Sequence, residues 1–441
     1  MLRPGCLLVA LLCAVALWAD DSVKSSSPNS PPDIPALLKL LADPSFQVRE
    51  KAIKTLEKLD PAFLPELQQA AKEATDPEVQ RRLAEIIPVL ERARYLAPTR
   101  ITLSLQNKPL KEVVQAFSSA CGYSLELVGG DEREKRLVTL ELKDTPFWEA
   151  LDKLCDLGGL VYQENYYGPN METLRLEYGE GFPGVVYVSG PFRVSVRGFN
   201  HMRNVEFASR PRQSSDPPVR RTEVLTIRLV MTVEPRLPLL SCGQPILTEV
   251  IDEHGQPLPF PAQNHMYAGR YYSGYRTISQ EVQTNLQPSP GSRWIRLLRG
   301  SIPVTVIANQ TPRIVIDKVA EAQGKTFEEG NISLKIESIA KNGQQVTFRI
   351  TLHDGTQQGK RDYSWINQLA QRLVLSDEKG NKWQCYGPSW DGNGFNGGPT
   401  FHGTVTYASN NRAGEPYRLT YYEWHTLSHS VDFEFRDLAL P

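Results

Sequence analysis

The feature that most narrows the possible folds is self-similarity within one short stretch. ITLSLQNKPLKEVVQAFSSACG, from Ile101, matches VTLELKDTPFWEALDKLCDLGG, from Val138, at a shift of 37 residues. Thr102, Leu103, Leu105, Pro109, Glu112 and Gly122 fall on Thr139, Leu140, Leu142, Pro146, Glu149 and Gly159. Each half opens with alternate apolar residues, as a strand with one covered face requires. A Pro then pre-sets the backbone for a first helical turn, and a Gly suited to a left-handed stop closes the helix. With further strands expected at Ser124–Val128, Leu160–Glu164 and Leu174–Tyr178, residues 98–180 form a small α/β module.

Upstream, residues 33–97 read as helical. Three Asp-Pro pairs, Asp43-Pro44, Asp60-Pro61 and Asp76-Pro77, punctuate the stretch. Asp accepts from the free N–H groups of a helix start, and Pro fits the first turn, where its missing N–H costs nothing. Behind them the apolar spacing is helical: Val48, Ala52, Leu56, Leu59; Leu64, Leu67, Ala71, Ala74; Val79, Leu83, Ile86, Leu90. DPSFQVREKAIKTL also aligns with DPEVQRRLAEIIPV at a shift of 33 residues. This helical-hairpin repetition resembles HEAT repeats. The following module, with Pro146-Phe147-Trp148-Glu149-Ala150-Leu151 as its most legible phrase, resembles the short N-terminal domain of secretins and TonB-dependent receptors. That resemblance implies a periplasmic module that docks peptides or neighbouring subunits. The strands downstream are too few and too interrupted for the barrel that such a module normally precedes, so secretion or receptor function is not carried over.

From about Gly181 the chain is strand-rich and repeats again. PFRVSV from Pro191 corresponds to ISLKIE from Ile332, and VLTIRLVMTV from Val224 to VTFRITL from Val346. LTEVIDEHGQPL from Leu247 corresponds to RLVLSDEKGNKW from Arg372, and SIPVTVIANQ from Ser301 to SVDFEFRDLA from Ser430. Two tandem antiparallel β-sandwiches, over 181–325 and 326–441, account for this spacing. The expected fold class is therefore multidomain α+β: a short helical repeat region, a small α/β module and two sandwiches. The closing phrase VDFEFRDLALP resembles the end of exported bacterial proteins of unknown function.

The opening residues specify a compartment. Arg3 precedes an apolar run from Cys6 to Ala19, with Ala14, Ala16 and Ala19 ahead of Asp20-Asp21. This predicts a signal peptide over 1–19, cleaved after Ala16 or Ala19, and a run too short to span a membrane. Bulky Leu12 before Cys13 does not suit lipidation. SVKSSSPNSPP lies in a Ser/Pro-rich linker over 20–32 that cannot bury a core. The protein is thus expected to be exported, periplasmic or at the cell surface, with no membrane span after signal removal. A net charge of −1 with mixed acids and bases leaves no broad basic face, which argues against nucleic acid as a partner. Cys121, Cys155, Cys242 and Cys385 remain; they allow three pairings or serve as small buried apolar groups. Cys121 and Cys155 lie late in the paired helices of the duplicated module and form a candidate disulfide.

Candidate chemistry fares poorly against its backbone context. Gly392, Gly394 and Gly397 fit the dinucleotide pattern, but Gly398-Pro399 and a strand follow where a helix is required. Asp391, Asn393 and Asn396 lack the closing bidentate Glu of a calcium loop. His425 and His429 have a helical zinc spacing, yet they lie in strand-like sequence, where four residues span about 13 Å. Asp252-Glu253 and Asp377-Glu378 recur just before a Gly at one place in both sandwiches, the signature of hairpin turns. No HExxH, CxxC or GxSxG occurs. No catalytic, cofactor-binding or metal residue is assigned, and no cofactor is implied.

Aromatic residues are the most suggestive feature. HMYAGRYYSGYR from His265 carries Tyr267, Tyr271, Tyr272 and Tyr275 beside Arg270, and WQCYGPSWDGNGFNGG carries Tyr386, Trp390 and Phe395. Both follow a DExG hairpin. Such side chains offer large, rigid contact area with polar tips, suited to a partner, or they fold back over sheet edges. The expected function is an exported, non-catalytic adaptor contacting another envelope protein. The alternatives are a binding module for envelope polysaccharide, and an enzyme with a spatially assembled site.

Overall fold

The computed structural model describes residues 33–129, 133–162, 173–179, 184–207, 219–260, 271–287, 292–357, 364–391, 398–409 and 413–440. The predicted signal peptide and linker lie outside them. The fold is α+β with several antiparallel sheets, and 26% of the described residues are helical and 52% strand. It divides into two compact units, one ending at Glu91 and one starting at Arg92.

Helices α1 (Ile34–Leu40), α2 (Phe46–Leu56) and α3 (Leu64–Glu73) follow one another in the first unit, and α4 (Pro77–Leu96) begins there. Of the apolar residues predicted to repeat at helical spacing, Ala52, Leu56, Leu64, Leu67, Leu83, Ile86 and Leu90 close one core, which Leu41 joins. The Asp-Pro chemistry holds in detail. Asp60 accepts from the Ala62 N–H at 2.8 Å and Asp76 from the Glu78 N–H at 2.8 Å. Asp43 acts one step earlier, accepting from the N–H of Ser45, the residue before α2.

In the second unit, β1 (Arg100–Pro109), α5 (Leu110–Cys121), β2 (Leu125–Val128), β3 (Leu137–Pro146), α6 (Phe147–Gly158), β4 (Leu160–Tyr162) and β5 (Leu174–Tyr178) form the α/β module. Its duplication is visible as reciprocal bonding. β1 and β3 pair antiparallel, Arg100 with Pro146 and Pro109 with Leu137. The Phe147 N–H donates to the Thr99 carbonyl as the Leu110 N–H donates to that of Arg136. Asn107 (φ 51°) donates its N–H to Thr139 Oγ1, and Asp144 (φ 49°) donates its N–H to Thr102 Oγ1, both at 3.0 Å. Gly122 (φ 74°) and Gly159 (φ 62°) end the two helices in the left-handed conformation that only Gly adopts without steric cost.

The strand-rich remainder departs from two separate sandwiches. A four-stranded sheet holds β6 (Val186–Ser189), β7 (Phe192–Phe207), β8 (Val219–Val233) and a later strand, β12. Next along the chain come β9 (Leu239–Cys242), β10 (Ile246–Asp252), β11 (Tyr271–Thr277), β12 itself (Ser279–Leu286) and β13 (Trp294–Asp317). A five-stranded sheet holds β14 (Thr326–Glu329), β15 (Ile332–Asn342) and β16 (Gln345–Asp354). Short helices α7 (Ser364–Asn367) and α8 (Leu369–Arg372) and strand β17 (Leu373–Ser376) follow. The sheet is completed by β18 (Gln384–Trp390) and β19 (Thr400–Ala408), and the long β20 (Arg418–Ala439) comes last.

Strands β13 and β20 pair along almost their whole length, from Trp294↔Ala439 to Asp317↔Arg418. Their sheet serves both cores. Leu298, Ile302, Val304, Leu427, Val431, Phe433 and Phe435 pack with Val194, Ile227, Leu229 and Met231 of the four-stranded sheet. Ile314, Ile316, Leu419 and Tyr421 pack with Leu334, Phe348, Ile350 and Val405 of the five-stranded one. The boundary expected near residue 325 is therefore not a break, because residues from either side of it complete each core.

The repeat itself is real in the topology. The strands beginning at Phe192 and Val219 occupy the places of those beginning at Ile332 and Gln345, and β10 that of β17. One correspondence moves. Ser301, matched in sequence to Ser430, instead pairs with Asp432 across the shared sheet. Leu298 meets Val250 as Leu419 meets Leu375, so Leu419 holds the equivalent position.

Candidate binding surfaces

The acidic residues singled out in the sequence are engaged in architecture. Asp252 is buried and accepts from the N–H groups of His254 (2.9 Å) and Gln256 (2.8 Å). Asp377 accepts from the Asn381 N–H and Nδ2 (both 2.8 Å) and the Gly414 N–H (2.9 Å), and these donors hold its carboxyl down at about 2. Both Asp carbonyls accept from the Gly three residues on, Gly255 (φ 79°) and Gly380 (φ 85°). The two hairpins are thus the same turn built twice.

Two further carboxylates carried no sequence signal beyond an ordinary acid after a strand. Asp354 is wholly buried, accepting from the Tyr421 hydroxyl (2.7 Å) and the Thr356 hydroxyl (2.6 Å), with the Arg372 guanidinium at 3.7 Å. Burial raises the Asp354 pKa, but these donors outweigh it and leave the group below its ordinary value. Glu234, also wholly buried, accepts from the Thr99 N–H (3.0 Å), the Thr99 hydroxyl (2.6 Å), the Tyr123 hydroxyl (2.8 Å) and Arg236 Nε (3.1 Å). Arg236 also donates to the carbonyls of Tyr95 and Ala97. Beside this knot Trp148 Nε1 donates to the Pro191 carbonyl, and Arg193 pairs with Asp152 at 2.7 Å. The α/β module is therefore locked onto the four-stranded sheet.

The histidines stay apart. Strand β20 runs without a bend through Thr426-Leu427-Ser428, and His425 packs on Tyr95 while His429 stacks on Phe192 at 5.5 Å. Among the described residues no three His, Cys, Asp or Glu side chains are grouped to hold a metal ion. Cys121 and Cys155, the candidate disulfide, are separate buried thiols, and Cys242 and Cys385 are free as well. Burial pushes Cys121 up to about 11 and Cys155 to about 12.

The aromatic excursions fall on two different sheets. Tyr267, Arg270 and Phe395 lie outside the described residues, as does the Gly392–Gly397 stretch. Tyr271, Tyr272 and Tyr275 belong to β11, the outermost strand of the shared sheet, where Tyr271 pairs with Cys242 and Tyr272 with Ser241. Tyr386 and Trp390 belong to β18, an edge strand of the five-stranded sheet. Tyr386 is exposed, whereas Trp390 meets Phe401 edge-on at 5.2 Å and packs on the second core. One aromatic of the pair is thus free for contact and the other covers an edge.

Two exposed surfaces were not singled out in the sequence. An open groove of about 790 Å³ runs along α2, lined by Phe46, Gln47, Glu50, Lys51, Lys54, Thr55, Lys58 and Leu59. Phe46 is 62% exposed, with the Arg49 guanidinium 5.9 Å from its ring centre. Lys51, Lys54 and Lys58 have no ion-pair partner among the described residues, whereas Arg81 and Arg82 of α4 are both paired with Glu78 and Glu85. The second surface is the distal half of the β7–β8 pair, where Met202, Val205 and Phe207 are exposed. No helix among the described residues is long and apolar enough to cross a membrane. Comparison with protein-family models, curated proteins and solved structures finds no match to the chain.

Proposed function

We propose that this chain is an exported, non-catalytic adaptor that makes protein–protein contacts in the periplasm or at the cell surface, with its helical repeats as a docking surface. The groove along α2 carries the reading. Helical packing already uses Ala52, Ile53 and Leu56 on the inner face, with Leu59 packed partly against the same core, so Phe46 is the apolar side chain of the groove that serves no core. Three ammonium groups, those of Lys51, Lys54 and Lys58, line the same groove with no ion-pair partner among the described residues. A partner helix bearing carboxylates would gain the burial of Phe46, on the order of 1.5–3 kcal/mol, plus salt-sensitive attraction to the lysines. The engagement of Asp252, Asp354 and Asp377 with backbone and neighbouring side chains supports a structural rather than a chemical use of the strand-rich half.

The test is cross-linking in the native envelope from a photo-reactive group at Thr55, followed by identification of the captured species. A specific acid-bearing protein is expected with the native chain and should be lost from Phe46→Ala and from the triple Lys51→Glu, Lys54→Glu, Lys58→Glu variant. The same products from all three chains would sink the reading. A second reading, envelope polysaccharide bound through the aromatic excursions, is favoured by exposed Tyr386 on the edge strand β18. It requires retention on insoluble polysaccharide that falls in Tyr386→Ala and Tyr271→Ala.

A further inference from the structure

The two sandwiches are copies, so each is a reference for the other. In the second, β15 and β16 turn back tightly, with Asn342 pairing Gln345 around Gly343 (φ 58°). In the first, the equivalent strands run on. The last pair of β6 with β7 is Val186↔Ser195, and that of β12 with β8 is Leu286↔Leu225. Beyond these points β7 and β8 pair only with each other, from Met202↔Val224 to Phe207↔Val219. Among the described residues this ribbon has no strand on either edge.

An isolated two-stranded ribbon is marginal in water, and open edges are normally blunted or covered. This one instead leaves Phe207 78%, Met202 58% and Val205 48% exposed. Strand alternation sets Arg203, Val205 and Phe207 on one side and Met202 on the other. The two strands of this region, Arg197–Phe207 and Val219–Arg228, hold five arginines and no lysine against two acids, in a chain of net charge −1. Glu223 is bonded to His201 and Arg203, and Glu281 of β12 pairs with Arg228, while Arg221 lies exposed.

We propose that this ribbon is a docking arm that receives an extended, acid-bearing segment of a partner protein as an added strand along the free edge of β7. The backbone edge supplies strand addition. Val205, Phe207 and Met202 contact alternate side chains of the incoming segment, and the guanidinium groups recognise its carboxylates. The arginine excess opposes pairing with a second copy of the same arm. Insertion into a bilayer needs an apolar apex, and ASRPRQSSDPP, the sequence between the two strands, offers none. The arm extends the adaptor reading to a surface separate from α2, and the two fail independently.

The experiment uses the full chain and an acetylated, amidated peptide of sequence SEVEIEVS, with a lysine-for-glutamate version as control. Calorimetry measures binding and amide hydrogen exchange locates it. Binding of the glutamate peptide alone is expected, with slowed exchange across Phe199–Phe207. The affinity should drop at least about tenfold, roughly 1.4 kcal/mol, in Val205→Asp/Phe207→Asp and stay unchanged in the α2 lysine variant. All the substituted side chains are exposed, so both variants should fold, which circular dichroism checks. Absence of peptide binding, equal binding by the lysine peptide, or undiminished binding by the double variant overturns the proposal. So does arm-dependent binding to phosphatidylglycerol vesicles without peptide binding, or arm-dependent dimerisation in sedimentation that excludes the peptide.

Discussion

Replacing Glu234 by Ala removes the carboxylate on which the joint between the α/β module and the four-stranded sheet converges. Four donor atoms lose their acceptor: the Thr99 N–H and hydroxyl, the Tyr123 hydroxyl and Arg236 Nε. A buried polar group left unsatisfied costs about 1–3 kcal/mol. The Thr99 hydroxyl keeps a contact with the Tyr123 hydroxyl at 2.6 Å, so the penalties overlap rather than add. Arg236 is 30% exposed, and solvent screens its share. The expected loss is about 3–5 kcal/mol, the range for breaking one partner out of a buried charged pair. Urea unfolding followed by tryptophan fluorescence is a suitable assay, because Trp148 bonds to Pro191 beside the same knot. A loss below about 1 kcal/mol at unchanged slope would refute the claim that this carboxylate fixes the module.

Gly403→Ala would place a methyl 2.1 Å from the Ser389 carbonyl oxygen and 2.8 Å from Phe401, so the urea midpoint should drop by the equivalent of about 1–3 kcal/mol. Gly122→Ala meets no atom but demands a left-handed backbone (φ 74°), with an expected cost of about 1–2 kcal/mol. Burial, then the nearby Arg92 charge, lowers the His429 pKa below 6.5. Its neutral ring therefore favours the folded state fully above pH 6.5, and that contribution declines as pH falls below 6.5 toward the lower folded value. His429→Phe should flatten that part of the stability profile, and an unchanged slope would count against it. With burial holding Cys121 near 11 and Cys155 near 12, both thiols should resist alkylation at neutral pH until urea is added, and peptide mass spectrometry should find neither oxidised.

Local rules were legible and partners were not. The shift-37 duplication could be read because each half carries its own strand, proline and terminal glycine, and the structure uses all of them reciprocally. The Asp252 and Asp377 hairpins could be read because Asp and Gly serve their own backbone there. Misplacing Ser301 against Ser430 had a physical cause. Strand patterns repeat every second residue, so a slip by an even number keeps every apolar side chain on the covered face. Nothing in β13 or β20 alone announces that they pair with each other across the intervening strands β14–β19. Glu234 resembled any acid after a strand, since its donors come from Thr99 and Tyr123, far back in the chain. Pattern alone also could not distinguish the exposed half of β7 from its covered half, because cover is a property of neighbouring strands.

The long pair of β13 and β20 constrains how the molecule comes into being. Leu427, Val431, Phe433 and Phe435 seal a core whose first strand begins at Phe192, so that core stays open until the entire second copy has been synthesised and delivered. Such distant closure is slow relative to local contacts. A chain emerging amino-terminus first would hold its helices and the Ile101–Gly159 duplication ready while both strand-rich cores wait for β20, and would then complete them together.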